Sequence, residues 1–387
     1  MKPDVIVIWL AVVMIAWRFI KPSVASPLDT LPRRWSAMDA LKGIACLAVV
    51  IIHYHPKGVG GDVLNALCKF AVPLFFCVSG FFLPDARGEL PYDRVMRKIG
   101  HVFGIILGAA VFYAFYTLAW QYWVHGSFNA ADFCSAKVTA GRIVKFFITN
   151  DPFVYAHLWF LLALLYCYFL ALFVGCRPGG LRKLSALTPF FIIAAIYVHE
   201  LARAIPWFHS GLPIPESKMR IYYFNLPIFR ALPFFALGIT ARYWHAWLVR
   251  TNLRANICLV LAMLGGIASF GEFLLLGRCL QFYVGSYVTL TMLFMWAIRN
   301  EGKTYGFLAY VGRELSLYVY VLHIAVGKVF DVLAGRYHWW GAPWFNGEWY
   351  GLRWVFVFCA TLIVAQAIVS VRHLCSLWCK SLQDRKD

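Results

Sequence analysis

The sequence predicts an all-α, polytopic integral membrane protein, and three observations carry this prediction. Of the 387 residues, 61% are hydrophobic and only 14% are charged, whereas an average soluble domain has about 25% charged residues. Mean hydropathy is correspondingly high, at +0.68. Apolar runs long enough to cross a bilayer recur along the whole chain, with short polar segments between them. These observations exclude a soluble domain and a globular domain held by one anchor.

Apolar runs and the residues that interrupt them predict a ten-helix core and one further helix at the N-terminus. The first run is interpreted as a transmembrane helix, because no Ala-x-Ala cleavage site follows it. Three regions are predicted: an N-terminal helix and cytoplasmic linker over 1–34, a transmembrane domain over 35–372 and a cytoplasmic basic tail over 373–387. The predicted helices span residues 4–20, 39–55, 68–83, 99–120, 153–175, 188–205, 226–243, 255–276, 279–298, 306–328 and 350–372.

Lys and Arg residues indicate how these helices are oriented in the membrane. An external N-terminus would place one set of loops in the cytoplasm, and Lys and Arg are more numerous in that set than in the other. The positive-inside rule therefore predicts an external N-terminus and a cytoplasmic C-terminus. Topology also accounts for the net charge of +18, because the 36 basic residues are scattered between apolar runs and form no separate polar module. We therefore expect no nucleic-acid partner.

The cysteines and histidines form no metal-binding pattern. The eleven cysteines include no CxxC motif, and several lie inside apolar runs, so we interpret them as small buried hydrophobic residues. No two histidines and a carboxylate share a close helical spacing. The sequence therefore predicts no metal site.

Four basic residues lie inside predicted transmembrane helices. A cation in such a position costs several kcal/mol unless it is paired or hydrated, so each is a candidate functional residue by default. These four residues are Lys42, Lys69, Arg230 and Arg313.

The most informative stretch runs from Ser36 to His53. Lys42 and His53 are eleven residues apart, which in an α-helix places them about 20° from the same face and about 16.5 Å apart along the axis. That distance is close to the reach of a pantetheine arm, so Lys42 is placed to hold the phosphates of coenzyme A while a thioester carbon approaches the imidazole. Structural alternatives are a capping box formed by Ser36 and Asp39, a lysine that extends to the interface, and a core histidine.

Further motifs follow in a characteristic order. They are Val72-Pro-Leu-Phe-Phe-Cys-Val-Ser79-Gly80, Arg94-Val-Met-Arg97-Lys98, His157-Leu-Trp159 and Ser316-Leu-Tyr-Val-Tyr-Val-Leu-His323. Together with the Asp39 to His53 stretch, they resemble the membrane-bound acyltransferase family 3, which O-acylates envelope glycans and related acceptors in bacteria. The resemblance covers roughly residues 35–372.

The resemblance implies roles for individual residues. The family motif is Arg-x10-His, so His53 corresponds to the essential histidine, and the family's Arg-x-x-Arg falls on Arg94 and Arg97. Position 42 is Lys, which keeps the charge but lacks the planar bidentate fork of Arg. Phosphate binding by Lys42 is therefore expected to be weaker than by an arginine, or Arg94 and Arg97 bind the phosphate instead. A Lys42→Arg substitution should be tolerated or beneficial.

The residue types also suit the chemistry of acyl transfer. A neutral histidine is suited to take the proton of an acceptor hydroxyl, and we assign this role to His53. His157 and Trp159, or amides near Ser79, are candidate donors to the oxyanion. Ser79 is alternatively a nucleophile that forms an acyl-enzyme, but Ser-Gly in a transmembrane helix is more often a close-packing site.

Other polar residues within the predicted helices complete the candidate site. His323 lies behind Arg313 and Glu314, whose adjacent charges are able to pair. Glu272 is placed to bind a polar acceptor, although pairing with Arg203, Arg230 or Arg278 is an equal alternative. The predicted catalytic residues are His53, Asp39, Ser79, His157 and His323; the donor-binding residues are Lys42, Arg94, Arg97 and Lys98; and the substrate-binding residues are Trp159, Glu272 and Arg313.

These predictions combine into one functional hypothesis. The protein is expected to be a bacterial inner-membrane O-acyltransferase, most plausibly an O-acetyltransferase, that uses cytoplasmic acyl-CoA and modifies a hydroxyl of an envelope saccharide or lipid-linked precursor. Membrane lipids surround it, and a homo-oligomer is compatible with the sequence. The alternative is a transporter or flippase whose buried polar residues line a pathway, although the sequence has no convincing internal repeat.

Overall fold

The computed structural model describes residues 35–127, 139–150, 155–197, 226–251, 253–277, 280–337 and 349–383. These residues form helices and turns and include no β-strand. The predicted helix 4–20 lies outside the described residues, as does the second half of the predicted helix 188–205. In chain order the helices are α1 Ser36–Tyr54, α2 Val59–Leu67, α3 Ala71–Phe81, α4 Tyr92–His125, α5 Ala140–Thr149, α6 Trp159–Gly175, α7 Gly180–Ala186, α8 Thr188–Ile196, α9 Pro227–Arg230, α10 Leu232–Tyr243, α11 His245–Arg250, α12 Ala255–Leu276, α13 Val284–Arg299, α14 Gly306–Tyr310, α15 Ser316–Arg336 and α16 Arg353–Gln383.

Seven helical segments in the described part of the chain are long and apolar enough to cross a membrane. The helix α13 is a shorter apolar helix of 16 residues. The predicted class, an all-α polytopic membrane protein, is therefore confirmed. The seven segments are Ser36–Tyr54, Val59–Phe81, Tyr92–Trp123, Ala156–Gly175, Ala255–Leu276, Gly306–Arg336 and Arg353–Trp378.

Several predicted helix boundaries differ from the observed ones. The second core helix begins at Val59, since α2 leads through a short 3-10 turn directly into α3. The predicted helix 226–243 is interrupted at Ala231, where Pro233 at the start of α10 supplies no backbone N–H to continue the preceding helix. The last helix continues to Gln383, because backbone hydrogen bonding extends beyond the apolar stretch from which its end was predicted.

The described residues divide into two compact units. The first unit contains residues 72–251, 253 and 280–284 of the described ranges, with helices α3 to α11. The second unit contains residues 35–71, 254–277, 285–337 and 349–383, with α1, α2, α12, α14 to α16 and nearly all of α13.

In the second unit, α1 packs closely against α14 and the turn that follows it. A Cβ atom added at Gly43 would lie 2.3 Å from the carbonyl oxygen of Leu308, and one added at Gly312 would lie 1.8 Å from that of Asp39. Because only glycine permits such approach, the glycine of the Asp-Ala-Leu-Lys-Gly motif is explained by helix packing. The same contact holds residues 311–315, which form a π turn between α14 and α15, against the start of α1.

Helix α15 runs in the same direction as α1. The Cys46 Sγ atom lies 4.0 Å from the Ser316 carbonyl oxygen, and eight residues further along α1 the Tyr54 hydroxyl donates to the Ile324 carbonyl at 3.3 Å. The middle and the C-terminal end of α1 are thus each matched to a defined position of α15. This pairing brings together the two helices that carry His53 and His323.

In the first unit, α3 and α10 approach each other at two glycines. A Cβ atom at Gly80 would lie 2.0 Å from the Phe235 carbonyl oxygen, and one at Gly238 would lie 1.9 Å from the Cys77 carbonyl oxygen. The close-packing interpretation of the Ser79-Gly80 pair is therefore confirmed for Gly80.

Candidate active site

The imidazoles of His53 and His323 form a pair in the second unit. Their ring centroids are 5.0 Å apart, with the ring planes inclined by 46°. His53 is exposed near the end of α1, whereas His323 is fully buried within α15. The His323 Nδ1 lies 2.9 Å from the Val319 carbonyl oxygen, which only accepts, so Nδ1 carries the proton. In neutral His323, Nε2 is then the acceptor nitrogen.

Two more basic side chains act electrostatically on His53, those of Lys69 and His55. Lys69 lies in the 3-10 turn between α2 and α3 and is half-buried. The His55 Nδ1 donates to the Pro56 carbonyl at 2.8 Å, so its Nε2 accepts from the Asn65 amide at 3.2 Å. The sequence identified Lys69 only as a cation within a helix. Its proximity to His53 depends on the turn at 68–70, which hydropathy does not reveal.

Lys42 and Asp39 form an ion pair near the other end of α1. The Lys42 Nζ lies 2.7 Å from Asp39 Oδ1, and the side chains retain 22% and 14% of their exposed area. The predicted capping box is wrong, because α1 begins at Ser36 itself and Trp35 occupies the N-cap position. The Ser36 hydroxyl instead accepts a hydrogen bond from the Tyr305 amide at 2.8 Å.

The π turn places two more predicted charges near this ion pair. Gly312 contacts the Asp39 carbonyl, and the next residue, Arg313, pairs with Glu314 through Nε at 2.9 Å. The predicted pairing of these adjacent charges is confirmed. A π turn inside a helix is frequently found at a functional site. The start of α1 and the π turn, whose backbones approach at Gly312, thus carry two ion pairs, and their four residues Asp39, Lys42, Arg313 and Glu314 are called the charged cluster below.

The basic segment of α4 belongs to the first unit. Arg94 and Arg97 are exposed, whereas Lys98 is half-buried, donates to the Phe82 carbonyl at 3.4 Å and lies 5.6 Å from the Tyr168 ring centroid. The three cations are thus not equivalent. Arg94 and Arg97 have guanidinium groups that are accessible to an anionic ligand. Lys98 instead makes structural contacts with Phe82 and Tyr168 of the same unit.

A structured turn leads into this basic segment. Asp85 Oδ1 accepts hydrogen bonds from the amides of Arg87 and Glu89 at 2.8 and 2.9 Å. The Glu89 carboxylate accepts from the Gly179 amide, and the Tyr243 hydroxyl donates to the Gly88 carbonyl. These contacts to other elements of the first unit hold the start of α4, and with it Arg94, in a fixed position.

His157 lies in the 3-10 turn Ala156–Leu158 that leads into α6, and Trp159 is the first residue of α6, in the first unit. The buried His157 ring makes an edge contact with Tyr113, with the centroids 5.2 Å apart. The guanidinium of Arg230 lies 3.7 Å from the Trp159 ring centroid, a close cation–π contact. Arg230 is one of the four cations that were predicted inside transmembrane helices, and this contact gives its guanidinium a partner.

The remaining candidates, Ser79 and Glu272, have structural partners. The Ser79 hydroxyl hydrogen-bonds to the Tyr168 phenol. The Glu272 carboxylate accepts from the Gly285 amide at 2.7 Å, at the first turn of α13, where a negative charge is favourable. Within the described ranges, no group of three His, Cys, Asp or Glu side chains is arranged to hold a metal ion.

The structure thus groups the predicted site residues by unit. One group contains Asp39, Lys42, His53, Glu272, Arg313 and His323 in the second unit, and the other contains Ser79, Arg94, Arg97, Lys98, His157 and Trp159 in the first.

The fold and the polar groups on its helices define a polytopic helical membrane protein in which α1 carries the Lys42–Asp39 ion pair and shares a histidine pair with α15. The model of acyltransferase family 3, described as an acyltransferase domain, matches residues 35–370 of the chain. Because this match covers most of the chain, the protein belongs to that family. It is a membrane acyltransferase that transfers groups other than aminoacyl groups, and not the transporter considered as the alternative. No curated protein and no solved structure matches the chain.

Proposed function

We propose that the protein is an O-acyltransferase of the bacterial inner membrane. It takes an acyl group, preferably acetyl, from cytoplasmic acyl-CoA and transfers it to a hydroxyl of an envelope glycan or lipid-linked saccharide. The supporting observation is the arrangement of α1, which carries the Lys42–Asp39 pair near one end and His53, against His323, near the other. The eleven residues between Lys42 and His53 correspond to about 16.5 Å along the helix axis, close to the reach of a pantetheine arm.

In the proposed reaction, neutral His53 accepts the proton of the acceptor hydroxyl as its oxygen attacks the thioester carbonyl carbon. The new C–O bond gives a tetrahedral oxyanion. This intermediate collapses by breaking the C–S bond, and the departing thiolate of CoA takes the proton from His53. The products are an ester and free CoA, so no further co-reactant is needed.

The other predicted residues have supporting roles in this proposal. Lys42 binds a phosphate of the donor, and Asp39 orients Lys42 through the ion pair. The exposed Arg94 and Arg97 of the first unit are separate candidates for phosphate binding, because they match the family's Arg-x-x-Arg. His157 and Trp159 contribute to acceptor binding or to oxyanion stabilisation from the first unit. Ser79 is assigned to packing and not to an acyl-enzyme, since its hydroxyl is held by Tyr168 beside a glycine contact.

The test is acetyl-CoA binding and acetyl transfer by purified protein in nanodiscs. Calorimetry is performed on wild type, Lys42→Ala, Arg97→Ala and His53→Ala, with Arg142→Ala as the control, because Arg142 is an exposed arginine of α5. We expect weaker binding for Lys42→Ala and Arg97→Ala, and unchanged binding with loss of transfer for His53→Ala. Folded wild type that binds neither acetyl-CoA nor a longer acyl-CoA would refute the donor assignment.

A further inference from the structure

A polar groove of about 820 Å³ lies in the second unit, beside the charged cluster. One wall is formed by residues that flank Gly312, the π-turn glycine that contacts the Asp39 carbonyl. The other wall is formed by residues 366–376 in the middle part of α16. Because Gly312 contacts the Asp39 carbonyl, the groove lies at the Lys42 end of α1 and not at the His53 end. None of the roles assigned above uses this groove. Its polar lining residues are Tyr310, Glu314, Gln366, Ser370, Arg372, His373 and Ser376.

Two arginines and one carboxylate lie at or next to the groove: Glu314 and Arg372 line it, and Arg313 adjoins Glu314 in sequence. Glu314 is shared by two arginines: its Oε1 lies 2.9 Å from Arg313 Nε, and its Oε2 lies 4.0 Å from Arg372 Nη2. The two guanidinium groups remain accessible, with 40% and 63% of their side-chain area exposed. One carboxylate cannot neutralise both cations, and each guanidinium has five N–H donors. The groove can therefore receive an anionic group that has several oxygen atoms.

The neutral side chains of the groove are held in place by hydrogen bonds. The Tyr310 hydroxyl donates to Gln366 Oε1 at 2.8 Å, and Gln366 Nε2 donates to the Ser370 hydroxyl at 3.2 Å. Arg372 Nη1 donates to the Tyr318 hydroxyl at 3.3 Å, which orients the guanidinium. The groove thus contains an aromatic ring from Tyr310, an amide from Gln366 and an imidazole from His373, beside the apolar Leu374. Side chains of these types are able to contact a purine base and a ribose.

We propose that this groove binds the adenosine and phosphate part of the acyl-CoA donor. Planar guanidinium groups bind phosphates in bidentate fashion, and the groove volume is in the range of about 300 to 1,000 Å³ that is usual for ligand pockets. From the groove, the pantetheine arm follows α1 from Lys42 to His53, where the thioester meets the histidine pair. The inference depends on the proposed use of acyl-CoA and adds a nucleotide site formed entirely by the second unit.

Arg372→Ala is the principal test, and Arg336→Ala is its matched control, because Arg336 is an exposed arginine at the opposite end of α15. In neutral-lipid nanodiscs, we expect Arg372→Ala to weaken acetyl-CoA binding by about tenfold, the equivalent of one lost charged hydrogen bond. Arg372→Lys should give an intermediate affinity. S-acetyl-pantetheine, which lacks the nucleotide, should be used equally well by wild type and by all three variants.

The outcomes separate this inference from the proposed function. If wild type binds acetyl-CoA and Arg372→Ala binds it equally well, the nucleotide site is refuted and the donor assignment stands. If wild type binds no acyl-CoA, both fail together. The headgroup of an anionic lipid also carries a phosphate and is the alternative ligand for the arginines at this groove. Loss of phosphatidylglycerol retention in Arg372→Ala, with unchanged acetyl-CoA affinity, would overturn the nucleotide site in favour of a lipid headgroup.

Discussion

Lys42 stands where the family motif has arginine. In the structure its ammonium is paired with Asp39 at 2.7 Å, an interaction that a guanidinium can also make. An arginine has further N–H groups in a planar fork, so it can bind a phosphate while it keeps the pair with the carboxylate. If Lys42 binds a phosphate as proposed, the departure from the motif changes the geometry of that interaction and leaves the charge unchanged.

We predict that Lys42→Arg retains acyl transfer with an equal or lower KM for the donor, whereas Lys42→Met raises this KM by about tenfold or more through loss of a charged interaction. Initial rates over a range of acetyl-CoA concentrations measure both effects. A KM for Lys42→Met equal to that of wild type would remove Lys42 from donor binding.

His323 is interpreted as a positioning residue for His53. Its Nδ1 proton is fixed by the Val319 carbonyl, and its ring packs against the His53 imidazole. We predict that His323→Phe, which fills the same space without the ring nitrogens, lowers kcat by about tenfold to a hundredfold, which is less than the roughly 10²- to 10⁴-fold contributed by a group that itself transfers the proton. The KM for acetyl-CoA should not change.

The pH dependence of kcat gives a second measurement on the same variant. If His323 sets the protonation of His53, the profile of His323→Phe shifts relative to wild type. A lower kcat with an unchanged profile would indicate a purely structural role for His323.

At the scale of secondary-structure elements, the contact between α1 and the π turn organises the candidate site. Gly43 and Gly312 allow the backbones to approach, so that the charged cluster and the histidine pair are held by the same two helices. Sequence analysis predicted both helices and all the charges of the cluster, because hydropathy and residue type reveal them. It could not predict that Gly312 contacts the Asp39 carbonyl, since the partner lies more than 270 residues away in sequence.

We predict that Gly312→Ala lowers the melting temperature of the purified protein. The added Cβ would lie 1.8 Å from a backbone oxygen, and overpacking of this kind costs about 1 to 3 kcal/mol. Gly335→Ala is the matched control, because an added Cβ meets nothing within 4 Å at that position of α15. Equal melting temperatures for the two variants would contradict the close contact.

At the scale of the whole molecule, the sequence predicted the class and most helices but not every boundary. Residues 68–83 were predicted as a helix from hydropathy, yet the helical segment starts at Val59, because a three-residue 3-10 turn connects α2 to α3 with no loop between them. Lys69 is carried by that turn, which is why its proximity to His53 was not predicted. The ion pair of Arg313 with Glu314 was predicted, since neighbouring opposite charges require no tertiary information.

The orientation of the chain in the membrane is a prediction at this scale. The distribution of Lys and Arg favours a cytoplasmic C-terminus, and the nucleotide groove beside α16 must face the cytoplasm to meet acyl-CoA. We expect a green fluorescent protein fused after Asp387 to fluoresce, and an alkaline phosphatase fused at the same position to be inactive. The opposite pattern would place the groove on the external side and contradict the donor assignment.

The π turn at 311–315 also fixes the angular phase of α15. A π turn contains one residue more than the α-helical turn it replaces, so every later side chain is rotated by about 100° relative to an uninterrupted helix. Deleting one residue from this turn would keep the contact at Gly312 but rotate His323 away from His53. The packing of His323 against His53 therefore requires a fixed number of residues between Gly312 and His323, whichever amino acids occupy the positions between them.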